Sequence, residues 1–335
     1  MKVAAITGKQ QCELIDKPDP QASEDFVLVK VLLAPMCTEY KMYRDGAKGD
    51  CLGHEAAGEV VKVGRPGRHK VGDRVVVMPL YACGRCELCV AGDYIHCQVG
   101  AAPPKWAGVA TYAQYLLKQD WQLLPVPDDM SLEHASMACC GLGPTFGAMQ
   151  IMHVDAFDTV LITGMGPVGL GGVINGTYRG ARVIAVESQP YRKKLAEKLG
   201  AAAVIDPGDP NALQAIKDLT GGRGVDKAID CSGVASAQRL LIDAARRKGH
   251  VGFVGEAGTL EIKVSDDMIR KGLTVHGCWH WNLADTPRMM QVILACGAKI
   301  DKLITHSFPM AQVEQAWKLQ LTGNCGKVLL RPWEM

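Results

Sequence analysis

The stretch TVLITGMGPVGLGGVINGTYRGARVIAVES, residues 159–188, limits the fold more than any other. An apolar run breaks into glycines, resumes as a helical pattern, and gives way to a second apolar run. The rhythm repeats as YRKKLAEKLGA before AAVIDP, NALQAIKDLTGG before KAIDCSG, and a further helix before HVGFVGEAG. Strands that alternate with helical segments make parallel sheets, because parallel neighbours need a crossover long enough to hold a helix. The expectation is a doubly wound α/β domain over residues 142–281.

Upstream the texture differs. From Phe26 to about Pro127, β-branched runs such as FVLVKVLLAP and HEAAGEVVKVG are punctuated by Gly, Pro and Asp, the pattern of a largely antiparallel β domain. After Ser131 helical texture takes over, and the tail LITHSFPMAQVEQAWKLQLTGNCGKVLLRP reads as loop, helix and a last strand. A chain of 335 residues suggests two domains. Its formal net charge of +2 argues against nucleic acid or a membrane surface as partner. The apolar run at the glycine turn is too short and too broken to span a bilayer, and the N-terminal residues do not read as a leader. A cytoplasmic location is the expectation, and there thirteen cysteines stay reduced.

Gly164-Met165-Gly166-Pro167-Val168-Gly169 matches G-x-G-x-x-G between a strand and a helix, and Glu187 ends the next strand. Gly164 permits the tight turn, Gly166 lets the backbone approach a pyrophosphate, and Gly169 lets helix pack on strand. The helix N-terminus offers free N–H groups to the phosphates. Glu187 is expected to bind ribose hydroxyls and to repel a 2′-phosphate, which favours NAD over NADP, with Arg192 nearby as the contrary signal. A glycine turn without a ligand is the competing reading.

Residues 81–97, YACGRCELCVAGDYIHC, hold Cys83, Cys86, Cys89 and Cys97 at spacings of two, two and seven residues. Four soft thiolates in a reducing compartment point to a closed, tetrahedral structural zinc. Iron–sulfur ligation fits less well, since the fourth cysteine is distant and no proline follows it. A second set is dispersed: Cys37, His54-Glu55 and Cys139-Cys140.

These motifs, in this order over nearly the whole chain, resemble the zinc-dependent medium-chain dehydrogenase/reductase superfamily, the alcohol and polyol dehydrogenases. The resemblance implies a GroES-like β-rich catalytic domain, residues 1–141 completed by 282–335, carrying the zinc lobe 81–97. A Rossmann-type NAD-binding domain, 142–281, lies between them in sequence. It implies Cys37, His54 and Cys140 as catalytic zinc ligands, with Glu55 beside them. It implies hydride transfer between a small alcohol or ketone and NAD, with a polyol, sugar or cyclitol favoured, in a homodimer or homotetramer. Family members commonly carry a relay hydroxyl two positions after the first cysteine and an aspartate at three. Here Thr38, Glu39 and Tyr40 follow Cys37. Glu39 is read as lying close to the metal, as proton acceptor or occasional ligand, with no aspartate to steady His54. The alternatives are relay by Thr38 or a solvent-facing Glu39. Tyr43, Trp106, Trp279 and His280 are candidate pocket residues, Lys327 a candidate partner of the cofactor phosphates, and the remaining histidines structural. The competing functions are an NADPH-dependent carbonyl reductase and a non-catalytic dinucleotide-binding scaffold.

Overall fold

A computed structural model describes residues 1–100 and 111–334. Trp106 lies outside the described residues. The chain divides into two compact units: Met1–Cys140 with Asn282–Gly297 and Ile304–Met335, and Gly141–Trp281 with Ala298–Leu303.

The first unit is built on the strand Phe26–Met36, FVLVKVLLAPM, the longest apolar β-branched run of its region. It pairs antiparallel with Ala56–Val63, Lys30 opposite Glu59, and with Tyr115–Gln119. Its far end pairs antiparallel with the C-terminal strand Lys327–Arg331, Val328 opposite Met36. That register places Cys37 and Lys327 at one end of the sheet although 290 residues of chain separate them. The Arg74–Val77, Leu123–Pro125 and Ile304–Pro309 strands complete a seven-stranded sheet. Its buried faces enclose Val29, Val31, Met36, Val60, Val75, Tyr112, Trp317 and Val328.

The second unit holds a six-stranded sheet in which every pairing is parallel. Counted along the unit, its strands lie in the order 3-2-1-4-5-6, the doubly wound arrangement whose ligand crevice lies at the carboxyl ends of the strands, where the order reverses. The first strand, Thr159–Thr163, ends at that point and leads through Gly164 into the helix Pro167–Tyr178. Among the described residues no helix is long and apolar enough to cross a membrane.

Candidate metal centres and nucleotide turn

Cys83, Cys86, Cys89 and Cys97 bring their sulfurs within 4.8 Å of one another. Cys86 Sγ lies 3.5 Å from Cys89 and 3.9 Å from Cys97, and Cys83 lies 3.9 Å from Cys89. Zinc–sulfur bonds of about 2.3 Å in a tetrahedron put sulfurs about 3.8 Å apart, so these separations fit a Cys₄ site and exclude a disulfide. Backbone N–H groups of Cys83 and Gly100 donate to Cys97 Sγ, each at 3.3 Å. Led by the Cys83 N–H, these bonds lower the Cys97 thiol to about 6. Burial, with the bond to Cys86, pushes Cys89 up to about 12. The loop takes this shape because Gly84 and Gly92 adopt φ of 72° and 90°. A Cβ at Gly92 would lie 2.1 Å from Asn282 Oδ1, and Asn282 Nδ2 donates to the Ala91 carbonyl and to Asp93. Beneath the loop, the buried ammonium of Lys118 donates to the Leu80 carbonyl, and burial lowers it to about 7.

The dispersed set also converges. Ligand atoms of Cys37, His54, Glu55 and Cys140 lie within 4.8 Å of one another. Cys37 follows the long strand directly, and His54-Glu55 enter the strand Ala56–Val63. Gly53 turns the chain there with φ of 83°, where a Cβ would lie 2.2 Å from Thr111 Oγ1. Cys140 follows the short turn Ser136–Ala138. His54 Nε2 is 3.3 Å from Cys140 Sγ and 4.0 Å from Glu55 Oε1. Tetrahedral zinc would set its nitrogen and sulfur ligands about 3.5 Å apart, so the donor set fits the ion.

Without a metal the cluster distributes its protons unevenly. The bond from Cys140 holds the Cys37 thiol well below its ordinary range, and the same bond pushes Cys140 well above. Burial disfavours a charged His54, but the bonds to Cys37 and Glu39 outweigh it and raise the ring to about 11. Burial lifts Glu55 to about 7, against the attraction of Lys327.

Four residues around the cluster differ from expectation or were unforeseen. Glu39 is buried, with Oε1 2.7 Å from His54 Nδ1, while the other ring nitrogen faces Cys140. It therefore sits behind the imidazole instead of at the metal or in solvent, and it supplies the steadying carboxylate that residue order alone does not show. The first turn of the helix Glu39–Asp45 swings it there, and the exposed Thr38 precedes it. Tyr112, fully buried, donates its hydroxyl to Glu39 Oε2 at 3.0 Å, and Gln320 Nε2 donates to the Cys37 carbonyl at 3.2 Å. Neither stands near the motifs in sequence. Lys327 corrects an expectation: its ammonium is fully buried, 2.6 Å from Glu55 Oε1, and does not serve a phosphate. Glu55 Oε2 accepts from the Cys140 N–H at 3.1 Å.

Tyr43 is likewise no pocket wall. It is fully buried, stacked on Trp317 at 5.1 Å, with its hydroxyl donating to Glu314. In the second unit Trp279 is exposed, whereas His280 is buried with φ of 62° beside Trp281.

The nucleotide turn has the shape its glycines predict. Gly164 has φ of 80°, and a Cβ there would lie 2.7 Å from Ser232 Cα. At Gly169 a Cβ would lie 2.0 Å from the Gly164 carbonyl oxygen, while at Gly166 it would meet nothing within 4 Å. Open space before Gly166, which caps the helix, fits a phosphate cradle. Pro167 and Val168 begin that helix. Glu187 follows the strand Arg182–Val186, and its carboxylate accepts from the N–H groups of Met165, Ser188 and Gln189, each at 2.8 Å. Arg192 stands in the first turn of the helix Pro190–Leu199.

The sequence pattern of the alcohol dehydrogenase GroES-like domain matches residues 23–128, and that of zinc-binding dehydrogenases matches residues 167–295. The chain is 31% identical to a zinc-type alcohol dehydrogenase-like protein, YphC, of Escherichia coli over 98% of both chains. It is 31% identical to a sorbitol dehydrogenase of Bacillus subtilis, over 99% of this chain and 97% of that one. In fold it superposes on the alcohol dehydrogenase TADH of Thermus sp. ATN1 with a TM-score of 0.90, at 23% identity over 99% of both chains. The chain belongs to the zinc-dependent medium-chain dehydrogenase/reductase superfamily.

Proposed function

We propose that the protein is an NAD-dependent alcohol or polyol dehydrogenase in which Cys37, His54 and Cys140 hold a catalytic zinc. The observation that carries this reading is the convergence of those three side chains and Glu55 within 4.8 Å. Those two thiolates and the imidazole would hold the ion, and zinc bound there would supply a Lewis acid that makes a hydroxyl easier to deprotonate. The nicotinamide supplies the hydride acceptor.

The protein's own residues orient and hold protons. Glu39 accepts the Nδ1 proton of His54, which fixes the tautomer and leaves Nε2 with its lone pair toward the cluster. Tyr112 fixes Glu39 in turn, so Glu39 acts as a positioning residue. Glu55, balanced by Lys327, stands beside the sulfurs as an additional oxygen donor. Thr38 is the hydroxyl left for proton exchange with solvent. Glu187 places a carboxylate beside the glycine turn, which favours ribose hydroxyls over a 2′-phosphate and hence NAD. The likeness to a sorbitol dehydrogenase supports a small polyhydroxy substrate.

The test is an activity screen with NAD and NADP across simple alcohols, linear polyols, sugars and cyclitols, with zinc measured on the same sample. Turnover with NAD and a polyol at two zincs per chain is the expected result. Turnover undiminished after the mixed cluster loses its metal, or with NADP alone, would overturn it.

A further inference from the structure

The helix Val313–Thr322 buries one stripe, Val313, Ala316, Trp317 and Gln320, while Gln315, Lys318 and Thr322 are exposed. The spacing i, i+3, i+4, i+7 is that of an apolar seam, and Val313, Ala316 and Trp317 join the core of the first unit. Gln320, only 6% exposed, breaks the seam with an amide. Its Nε2 donates to the Cys37 carbonyl at 3.2 Å, across 283 residues of chain. That bond fixes which end of the amide is which, because a carbonyl can accept only from the NH₂ side. The other end, Oε1, is buried with no hydrogen-bond partner. An unmet buried carbonyl costs stability, and an apolar side chain of similar shape avoids the cost. Packing alone therefore does not account for a glutamine in this stripe.

What the amide holds is the first ligand of the mixed cluster. Met36 ends its strand, paired with Val328, and Cys37 lies just past the ladder. Side chains take over there. Glu39 Oε2 accepts the Cys37 N–H at 3.3 Å, while Gln320 donates to the Cys37 carbonyl. Through Oε1 the same Glu39 carboxylate meets His54 Nδ1. Both peptide groups of Cys37 are thus gripped, one from the following turn and one from near the far end of the chain. Since φ orients the N–H and ψ the carbonyl, the two bonds together restrain both torsions, and with them the direction of the Cβ–Sγ bond.

We propose that Gln320 is a positioning residue for the catalytic metal: by holding the Cys37 carbonyl it aims Sγ at the point shared with His54 and Cys140. The proposal rests on the reading of that cluster as a zinc site. A thiol held in place before the ion arrives loses less freedom on binding, so the grip is expressed as metal affinity. The four-cysteine loop, whose sulfurs are held by their own backbone, is an internal control.

The test is Gln320→Met, which keeps an unbranched side chain of similar length and loses the donor. Zinc affinity at both sites is measured by competition with a chelator. Cobalt substitution then reads the sites separately, because four thiolates and a mixed thiolate–imidazole set give different absorption bands. In the variant, affinity at the mixed cluster should fall about tenfold or more and its cobalt bands should shift. The loop should keep its affinity and bands, and the melting temperature with one zinc per chain should hold or rise. If Gln320→Met fails to fold, Gln320→Leu decides the matter by the same readouts. Unchanged affinity and bands at the mixed cluster, or an equal loss at both sites with a falling melting temperature, would overturn the proposal. Wild-type protein that takes up one ion only, in the loop, would instead overturn the zinc reading on which it rests.

Discussion

The cysteine loop and the mixed cluster are sulfur-rich sites of similar size in one unit, yet they are assembled in opposite ways. Cys83, Cys86, Cys89 and Cys97 come from one short loop, and their contacts are mostly to their own backbone. The site supplies four like ligands and closes on itself, which suits an ion that holds a loop. Cys37, His54, Glu55 and Cys140 arrive from three separate segments and carry a shell of remote residues: Glu39, Tyr112, Gln320 and Lys327. In the proposed reading, three strong ligands with a standby carboxylate would leave room for a substrate. The difference teaches that the shell built around the ligands, more than the ligands themselves, marks the site where chemistry is proposed.

Exchanging the damage between the two sites sharpens this contrast most. Cys37→Ala should cut turnover by about a thousandfold or more, since loss of a Lewis acid removes several kcal/mol of barrier lowering. Zinc should fall from about two to about one per chain while NAD binding, followed by fluorescence, persists. Cys89→Ser should do the reverse, lowering the melting temperature by several degrees while turnover per remaining zinc stays within a few-fold. Equal losses of activity in both variants would erase the distinction.

The shell provides the next largest effect. Glu39→Gln should weaken zinc retention or turnover by about 10- to 100-fold, as losses of a carboxylate behind a metal-bound histidine do, and Tyr112→Phe by less. Glu39→Gln with unchanged zinc affinity, activity and pH profile would remove Glu39 from the account.

The smallest effect is on the pH dependence of the metal-stripped protein. His54 is raised from 6.5 to about 11, so its stabilisation is complete below 6.5 and is lost as pH rises through about 11. Cys37, held low, acts with the opposite sign: its contribution is present above its ordinary value and is lost as pH falls through the lowered one. The two oppose each other up to the ordinary cysteine value of 9.0, so the melting temperature of stripped protein should fall chiefly between pH 9 and pH 11, and His54→Gln should flatten that slope. A slope the substitution leaves intact would detach His54 from this linkage.

What is legible in the sequence follows from distance along the chain. The parallel sheet is readable because each strand and its crossover helix are contiguous, and the four thiols because they share one loop. The mixed cluster is readable only through resemblance to a family, since Cys37 and Cys140 meet by way of sheet register. Glu39 escapes a sequence reading because its direction depends on one helical turn after Cys37, which residue order does not reveal. Lys327 escapes it because a lysine near a chain end ordinarily meets solvent, and only the pairing of Val328 with Met36 delivers it to Glu55. Tyr43 looks like an aromatic wall in sequence but packs on Trp317, 274 residues later.

The most direct measurement is anomalous diffraction at the zinc edge from crystals of the zinc-loaded protein. The account predicts two peaks, one among the four loop thiols and one about 2.0–2.3 Å from Cys37 Sγ, His54 Nε2 and Cys140 Sγ. A single peak, confined to the loop in protein that turns over substrate, would contradict it.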